Sequence, residues 1–318
     1  MSVILNTSNS LSLLVEEEIA SLQLNQYPLI NRVQKKVISQ KVVKWNANVG
    51  GATVTGEATT ANITTYSEDA VVGASLAIGT ARLRHSFQVQ KEDIAEAASA
   101  GKGALRDLFG YEIQSGLRAL LESASGLVYT GTGTNAQGGL IGLGTVVANA
   151  AYAGIDPVTY PLWSAVLNTN GTNRPLTLAL LLAMETAIAR KGGNFSAIYT
   201  TPEIVAKYKE LFIANLSINN ILPAGQADLG FTGVSYAGRP IIQDPYCPNN
   251  TLYFVNEPEV ALYTFSQNNT QSRDGMQVAI EKLPSSNPDA ENYALYVKPQ
   301  LKVHNRAKGV GALAFITQ

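Results

Sequence analysis

Few side chains in this sequence could do chemistry. The chain holds two histidines, His85 and His304, and one cysteine, Cys247. His85 falls on the apolar side of the alternating run Leu83, His85, Phe87, Val89, with little nearby that could act as a co-ligand or proton partner. It reads as a packed or interfacial ring, not a base. Cys247 lies among Pro245 and Pro248 and reads as a turn residue; a lone cysteine forms no internal disulfide and supplies no metal cluster. Glu16, Glu17 and Glu18 read as a solvated face. The stretch Gly131-Thr132-Gly133-Thr134 with Gly138 and Gly139 could cradle a phosphate. Phosphate loops open a helix, however, where amide dipoles point at the anion, and this one closes a helix. The glycines therefore read as a structural turn that needs positive φ. The sequence has no nucleophile elbow, phosphate-binding lysine loop, zinc-protease helix or calcium loop. No catalytic residue, cofactor or metal ligand is expected, and the chain does not read as an enzyme.

The glycine turn ends the most strongly patterned element. From Arg106 onward, Phe109, Ile113, Leu117, Leu120, Leu121 and Ala124 form one apolar stripe at helical spacing. A helix of about 20 residues is roughly 30 Å long, a strut across the molecule. Gly110 and Gly116 inside it each cost roughly 1 kcal/mol against alanine, which points to a close neighbour or a bend. Before the strut, Asp93-Ile94-Ala95-Glu96 has the pattern of a capping box for a short helix that breaks at Gly101-Lys102-Gly103. After it, Leu176 to Lys191 is apolar around most of its circumference, which predicts a deeply buried helix ended by Gly192-Gly193. Thr201-Pro202-Glu203 starts another helix. Strands are predicted over Phe195–Thr200, Gly233–Ile242, Thr251–Val255, Val260–Phe265 and Met276–Leu283, and again from Tyr293 to Ile316, with Leu295, Val297, Leu301 and Val303 facing inward. Strands and helices without βαβ regularity give the class α+β.

Residues 40–92 carry the most telling length. Val43, Trp45, Ala47 and Val49 alternate with polar residues, and a second strand carries Leu83, His85, Phe87 and Val89 on one face, its apolar phase shifting from Leu76 and Ile78 to Leu83 across a bulge at Gly79-Thr80. If these pair, two strands of about 20 residues reach roughly 60–65 Å, against a radius of gyration of about 20 Å for a compact domain of this size. The ribbon has few large apolar side chains, and isolated hairpins are marginal in water. The expectation is that it lies on a neighbouring subunit.

With 318 residues, 46% of them hydrophobic and 15% charged, the chain can bury a large core. Its net charge of −1 gives no global attraction to nucleic acid or an anionic membrane. The N-terminus has no signal-peptide pattern and no apolar run is long enough for a span, so no membrane association is expected.

The order of elements, N-terminal arm, long hairpin, strut, Gly131-Thr132-Gly133-Thr134 through Gly138-Gly139-Leu140-Ile141-Gly142, then Gly238-Arg239-Pro240-Ile241-Ile242 and the closing segment Asn305 to Phe315, resembles the major capsid proteins of tailed bacteriophages, the Hong Kong 97-like fold. The resemblance implies an N-arm (1–39), an extended E-loop hairpin (40–92), a peripheral domain with the spine helix (93–193), an axial domain (194–262) and peripheral return strands (263–318). It also implies self-assembly into hexamers and pentamers of an icosahedral shell around double-stranded DNA in a virion assembled in the host cytoplasm. DNA would meet the inner face non-specifically. The partners implied are a separate scaffolding protein, a portal and a decoration or cement protein.

Trp45 to Ala81 contains no lysine or arginine, so a lysine cross-link from this loop is not expected. Its only charges are Glu57, Glu68 and Asp69, which are candidates to dock on Lys102 and Arg106 of a neighbour, with Arg82 and Arg84 as further contact candidates. An encapsulin-like nanocompartment shell is the alternative reading, and a secreted β-rich adhesion module a more distant one.

Overall fold

The computed structural model describes residues 27–51, 54, 56, 59, 70–213, 234–266, 270–273, 275–285 and 287–317. In chain order its helices are α1 (Pro28–Arg32), α2 (Lys91–Ala100), α3 (Lys102–Thr130), α4 (Leu143–Val147), α5 (Leu178–Arg190), α6 (Pro202–Ile213) and α7 (Arg306–Gly309). The strands are β1 (Gln34–Ile38), β2 (Val42–Gly50), β3 (Ala70–Ala77), β4 (Leu83–Gln90), β5 (Val166–Asn168), β6 (Ala197–Thr200), β7 (Ser235–Tyr236), β8 (Arg239–Gln243), β9 (Thr251–Val255), β10 (Val260–Phe265), β11 (Thr270–Arg273), β12 (Met276–Leu283), β13 (Ala290–Val297), β14 (Pro299–Val303) and β15 (Val310–Ala314).

Among the described residues these strands form four sheets, in the orders β1-β10-β14, β11-β12-β13-β4, β5-β15-β9-β6-β8-β7, and the two-stranded β2-β3. The six-stranded sheet is covered on both faces, which is why its strands read as continuous apolar runs. Successive residues go to opposite sides. Ile198, Leu252, Phe254 and Leu313 pack with Leu181, Met184 and Ile188 of α5 and Ile204 and Val205 of α6. Ala197, Tyr199, Tyr253, Val255 and Ala312 pack into the larger core that contains Leu120, Leu121, Ala124 and Val128 of α3.

The strut is longer than the periodicity implied. Helix α3 holds 29 residues, beginning at Lys102, which makes it about 43 Å long. Gly103 continues the helix, and the break is confined to Gly101 at φ +118°. Gly116 has a packing reason, because an added Cβ would lie 2.6 Å from His85 Cδ2 and 3.0 Å from Leu295 Cδ1. Its bare backbone lets the helix sit directly on β4 and β13. Gly110 faces open space. Helix α2 starts at Lys91, with Gln90 as N-cap and no side-chain cap bond, so Asp93 and Glu92 complement the dipole within the first turn and the predicted capping box does not form.

Three further expectations are corrected: the pairing of the hairpin, the burial of α5 and the single strand over 233–242. The hairpin pairs Val42 with Ala77 through Gly50 with Ala70, so its returning strand is β3 and not the Leu83–Val89 run. That run is β4, which leaves the hairpin at the 79–81 bend and pairs with β13 from Gln90–Ala290 to Leu83–Val297. What looked like a bulge is a change of sheet. The described hairpin strands, nine and eight residues long, reach about 30 Å each, and most of the residues between them, 52–69, lie outside the described residues. Helix α5 buries only Leu181, Met184 and Ile188, while Leu178 and Leu182 are 43% and 60% exposed. The Gly233–Ile242 run is a small hairpin of β7 and β8 turning at Ala237–Gly238, and β8 flanks β6, which separates it from β9. Within 263–318, β11 to β13 belong to the sheet of β4 and β14 to that of β1, whereas β15 lies between β5 and β9 in the six-stranded sheet.

Candidate functional site

The glycine turn after α3 is where three parts of the chain meet. Gly133, Gly138 and Gly139 have φ of +81°, +66° and +74°, conformations that residues with a Cβ rarely adopt. Gly131, at φ −58°, is needed for proximity instead: an added Cβ would lie 2.4 Å from Leu140 O. The turn closes on itself through Gly133 N–H to Leu140 O at 2.9 Å and Gly142 N–H to Gly131 O at 2.8 Å. Thr132 N–H donates to Gln137 Oε1 at 2.7 Å. A Cβ at Gly138 would meet Leu83 Cγ at 2.7 Å, because the turn packs against the start of β4. Most of its amides are thus engaged by the protein itself, as a structural turn requires.

Gln300 ties this turn to the hairpin. Its side chain is 2% exposed. The amide Nε2 donates to Ala77 O at the end of β3 (2.9 Å) and to Gly139 O (3.0 Å). Its Oε1 accepts from Ile141 N–H at 2.9 Å and from Leu301 N–H at 3.1 Å. One buried amide therefore meets all its needs while joining β14, the turn and the root of the hairpin.

The hairpin root is held on the opposite side by Trp45. Its indole N–H donates to His304 O at 3.0 Å, its ring stacks on His304 at 6.5 Å, and the Lys302 ammonium lies 4.4 Å from the ring centroid. Ile78, Ala261, Tyr263 and Phe265 form a small buried cluster beneath, with Ile38 and Val43 against it. The hairpin is thus mounted on the β1-β10-β14 sheet by an aromatic and cationic clasp.

The strongly perturbed ionisable groups are structural clasps as well. Tyr129 donates to Asp244 Oδ2 at 2.7 Å, both buried, and fixes the end of α3 to the 244–247 turn. Burial pushes the Asp244 carboxyl up, against the opposing hydrogen bond from Tyr129. Burial, with the charge of Asp244 added, pushes the Cys247 thiol well above its ordinary value, so the thiolate is disfavoured. Arg32 pairs with Glu257, which also accepts from the Tyr199 hydroxyl at 2.5 Å. The fully buried Arg306 donates to Ala150 O at 2.7 Å and Ala148 O at 2.6 Å, satisfying carbonyls just past α4. Among the described residues no group of three or more His, Cys, Asp or Glu side chains could hold a metal, and no helix is long and apolar enough to cross a membrane.

Of the contact candidates, Arg82, just before β4, and Arg84, on it, are exposed, and the Arg82 guanidinium lies 4.8 Å from the Tyr296 ring centroid. Lys102 and Arg106 belong to the first turns of α3. Glu57, Glu68 and Asp69 lie outside the described residues, so the docking expectation for them is carried by sequence alone.

No protein-family model matches the chain, and no curated protein matches it in sequence. Solved structures do. The capsid asymmetric unit of cyanophage A-1(L) is similar over 96% of each chain, with a TM-score of 0.82 and 24% identity. The fold is the Hong Kong 97-like capsid fold. The same fold is similar to the capsid of a native GTA particle (TM-score 0.68, 11% identity, 95% of this chain and 94% of that one). It is also similar to the holo-SrpI encapsulin complex of Synechococcus elongatus PCC 7942 (TM-score 0.62, 11% identity, 96% and 94%). Sequence reasoning missed Gln300 as the fastening of the glycine turn, Trp45 as that of the hairpin root and Arg306 as that of the carbonyls past α4. Gln300 sits beside Lys302 in the run Pro299–Val303 and is singled out only once its burial in β14 is known.

Proposed function

We propose that this chain is a structural subunit and not an enzyme: a major capsid protein that assembles as hexamers and pentamers into an icosahedral shell enclosing the double-stranded DNA of a tailed phage. The observation that carries this reading is the likeness to the cyanophage A-1(L) capsid over 96% of both chains, hairpin and strut included. The clasped hairpin root supports it, because a ribbon fixed so firmly at one end, with few large apolar residues in the sequence beyond it, is suited to a partner's surface.

In this reading residues 1–39 are the N-arm, 40–92 the E-loop, 93–193 and 263–318 the peripheral domain and 194–262 the axial domain. The shell works with a separate scaffolding protein, a portal and a decoration or cement protein, and packaged DNA meets its inner face non-specifically. The particle is assembled in the host cytoplasm, and its home is the virion. Glu57, Glu68 and Asp69 dock on Lys102 and Arg106 of the adjacent subunit, with Arg82 and Arg84 at the same seam.

The likeness to the SrpI encapsulin favours one second reading, a cellular nanocompartment shell. One experiment tests both. The purified protein is sized by light scattering and imaged in negative stain, and any particles are analysed for contents. Closed megadalton shells with DNA agree with the capsid reading, shells with an enclosed enzyme select the nanocompartment, and a stable small monomer overturns both.

A further inference from the structure

A cleft of about 630 Å³ opens beside the hairpin root, and Asn48, Leu162, Trp163, Arg190, His304 and Lys308 are among the residues that line it. None of its described lining residues is an Asp or Glu, although Arg190, Lys191, His304 and Lys308 all reach it. The guanidinium of Arg190 and the ammonium of Lys308 have no hydrogen bond or ion pair among the described residues. Lys191 is held by Ser164 O and Oγ at 2.5 and 2.8 Å. Behind it, Arg306 donates to carbonyls only. Burial lowers the pKa of Lys191, and the charge of Arg306 lowers it further, so positive charge is crowded here without a counter-charge. Trp163, 2% exposed, also lines the cleft, and its indole N–H has no acceptor among the described residues. A buried donor left unpaired costs about 1–3 kcal/mol, which an incoming oxygen would remove. Above these donors, the lip carries Leu162 at 67% exposure.

The site therefore suits a ligand with an apolar part followed by several carboxylates. One stretch of this chain has that order: Leu13-Leu14-Val15-Glu16-Glu17-Glu18. We infer that the cleft seats this segment of the chain's own N-terminal arm. The three glutamates then face Arg190, Lys308 and the Trp163 N–H, and Leu13, Leu14 and Val15 cover Leu162. The C-terminal end of α1 is linked to the rim of the cleft through two contacts. Arg32 of α1 pairs with Glu257 at 2.5 Å, and the adjacent Asn256 N–H donates to Gly309 O at 2.8 Å, next to Lys308. From Glu18 to Tyr27 is 27 − 18 = 9 residues, which span up to about 30 Å when extended.

Zero-length carbodiimide coupling, which joins a lysine to a carboxylate only in contact, tests this on the full-length chain. A mixture of ¹⁴N- and ¹⁵N-labelled chains separates links within a chain from links between chains. The expected product joins Lys308 to Glu16, Glu17 or Glu18 with one isotope on both sides. Links from Lys308 to Glu57, Glu68 or Asp69, arm links of mixed isotope, links to Glu259 alone, or coupling that appears only after nuclease treatment each overturn the assignment. Independently, a glutamate-specific protease should cut after Glu16–Glu18 at least about tenfold faster in Arg190→Glu/Lys308→Glu than in the unaltered chain, since protection follows the population of the open form. Equal rates overturn the inference. The test reads the subunit itself, so its failure leaves the shell reading standing.

Discussion

The Gln300 side chain and the Ile141 backbone are joined by a 2.9 Å hydrogen bond across 159 residues of sequence, and the same amide reaches Ala77 O and Gly139 O. Replacing it with an apolar isostere removes a partner from two carbonyls and two N–H groups at a partly buried junction. Each buried orphan costs about 1–3 kcal/mol, with part of the loss recovered by relaxation. Gln300→Leu should therefore destabilise the unassembled subunit by roughly 3–5 kcal/mol, read as a lower midpoint in urea. Gln300→Glu should be worse at neutral pH, because it points a carboxylate at two carbonyls, and should recover partly in acid. Equal midpoints for both variants and the unaltered chain would remove Gln300 from its place as fastener.

The two glycines inside α3 separate a packing effect from a propensity effect. At Gly116 a methyl group would strike His85 and Leu295 at 2.6 and 3.0 Å, whereas at Gly110 it would meet nothing within 4 Å. Alanine at Gly110 should stabilise the subunit by about 0.5–1 kcal/mol. Alanine at Gly116 should destabilise it by about 1–3 kcal/mol as the helix lifts off β4. Thermal unfolding of the two variants should move in opposite directions.

Glycine pattern and periodicity made α3, its closing turn and the late strands legible, because each depends on residues close in sequence. The inward set Leu295, Val297, Leu301 and Val303 is buried as the alternation predicted. What stayed hidden was which strands pair. The Leu83–Val89 run alternates as a hairpin strand would, and only the tertiary partner β13 decides where it goes. The chain starts at α2 and α3 were also misplaced, since Gln90 caps through its backbone conformation and Gly101 absorbs the whole break. For α5, an apolar surface was read as burial, although Leu182 is open to solvent.

Trp45 should govern the hairpin root without supporting the rest of the core. Trp45→Ala removes the 3.0 Å bond to His304 O and the ring beneath the Lys302 ammonium. The local cost is about 2 kcal/mol. Amide exchange should accelerate by roughly 30-fold through β2 and β3 and remain unchanged in β6 and β9. A uniform acceleration across all four strands would show instead that Trp45 supports the whole subunit.

Reversing the hairpin's charge tests the proposed seam between copies. Glu68→Lys/Asp69→Lys alters a segment otherwise free of basic residues from Trp45 to Ala81. The expected result is a soluble subunit with an unchanged unfolding midpoint that no longer forms particles, and partial recovery when Lys102 and Arg106 are changed to Glu. Normal shells from the first variant would show that these carboxylates only keep the loop soluble.

The Arg32–Glu257–Tyr199 clasp carries a pH dependence whose direction follows from its geometry. Burial pushes the Glu257 carboxyl up, but hydrogen bonds from Arg32 and Tyr199 outweigh it, and the folded pKa falls below the ordinary 4.5. A carboxylate with a depressed folded pKa contributes stability above its unfolded pKa and loses it as the pH falls through the folded value. The unaltered chain should thus be more stable than Glu257→Gln by roughly 1 kcal/mol at pH 7, a modest figure because Arg32 is 46% exposed and solvent screens the pair. Below the ordinary glutamate range the two unfolding curves should converge. If the gap persists unchanged in acid, the difference comes from the shape of the side chain and not from its charge, and the clasp is no ion pair in energetic terms.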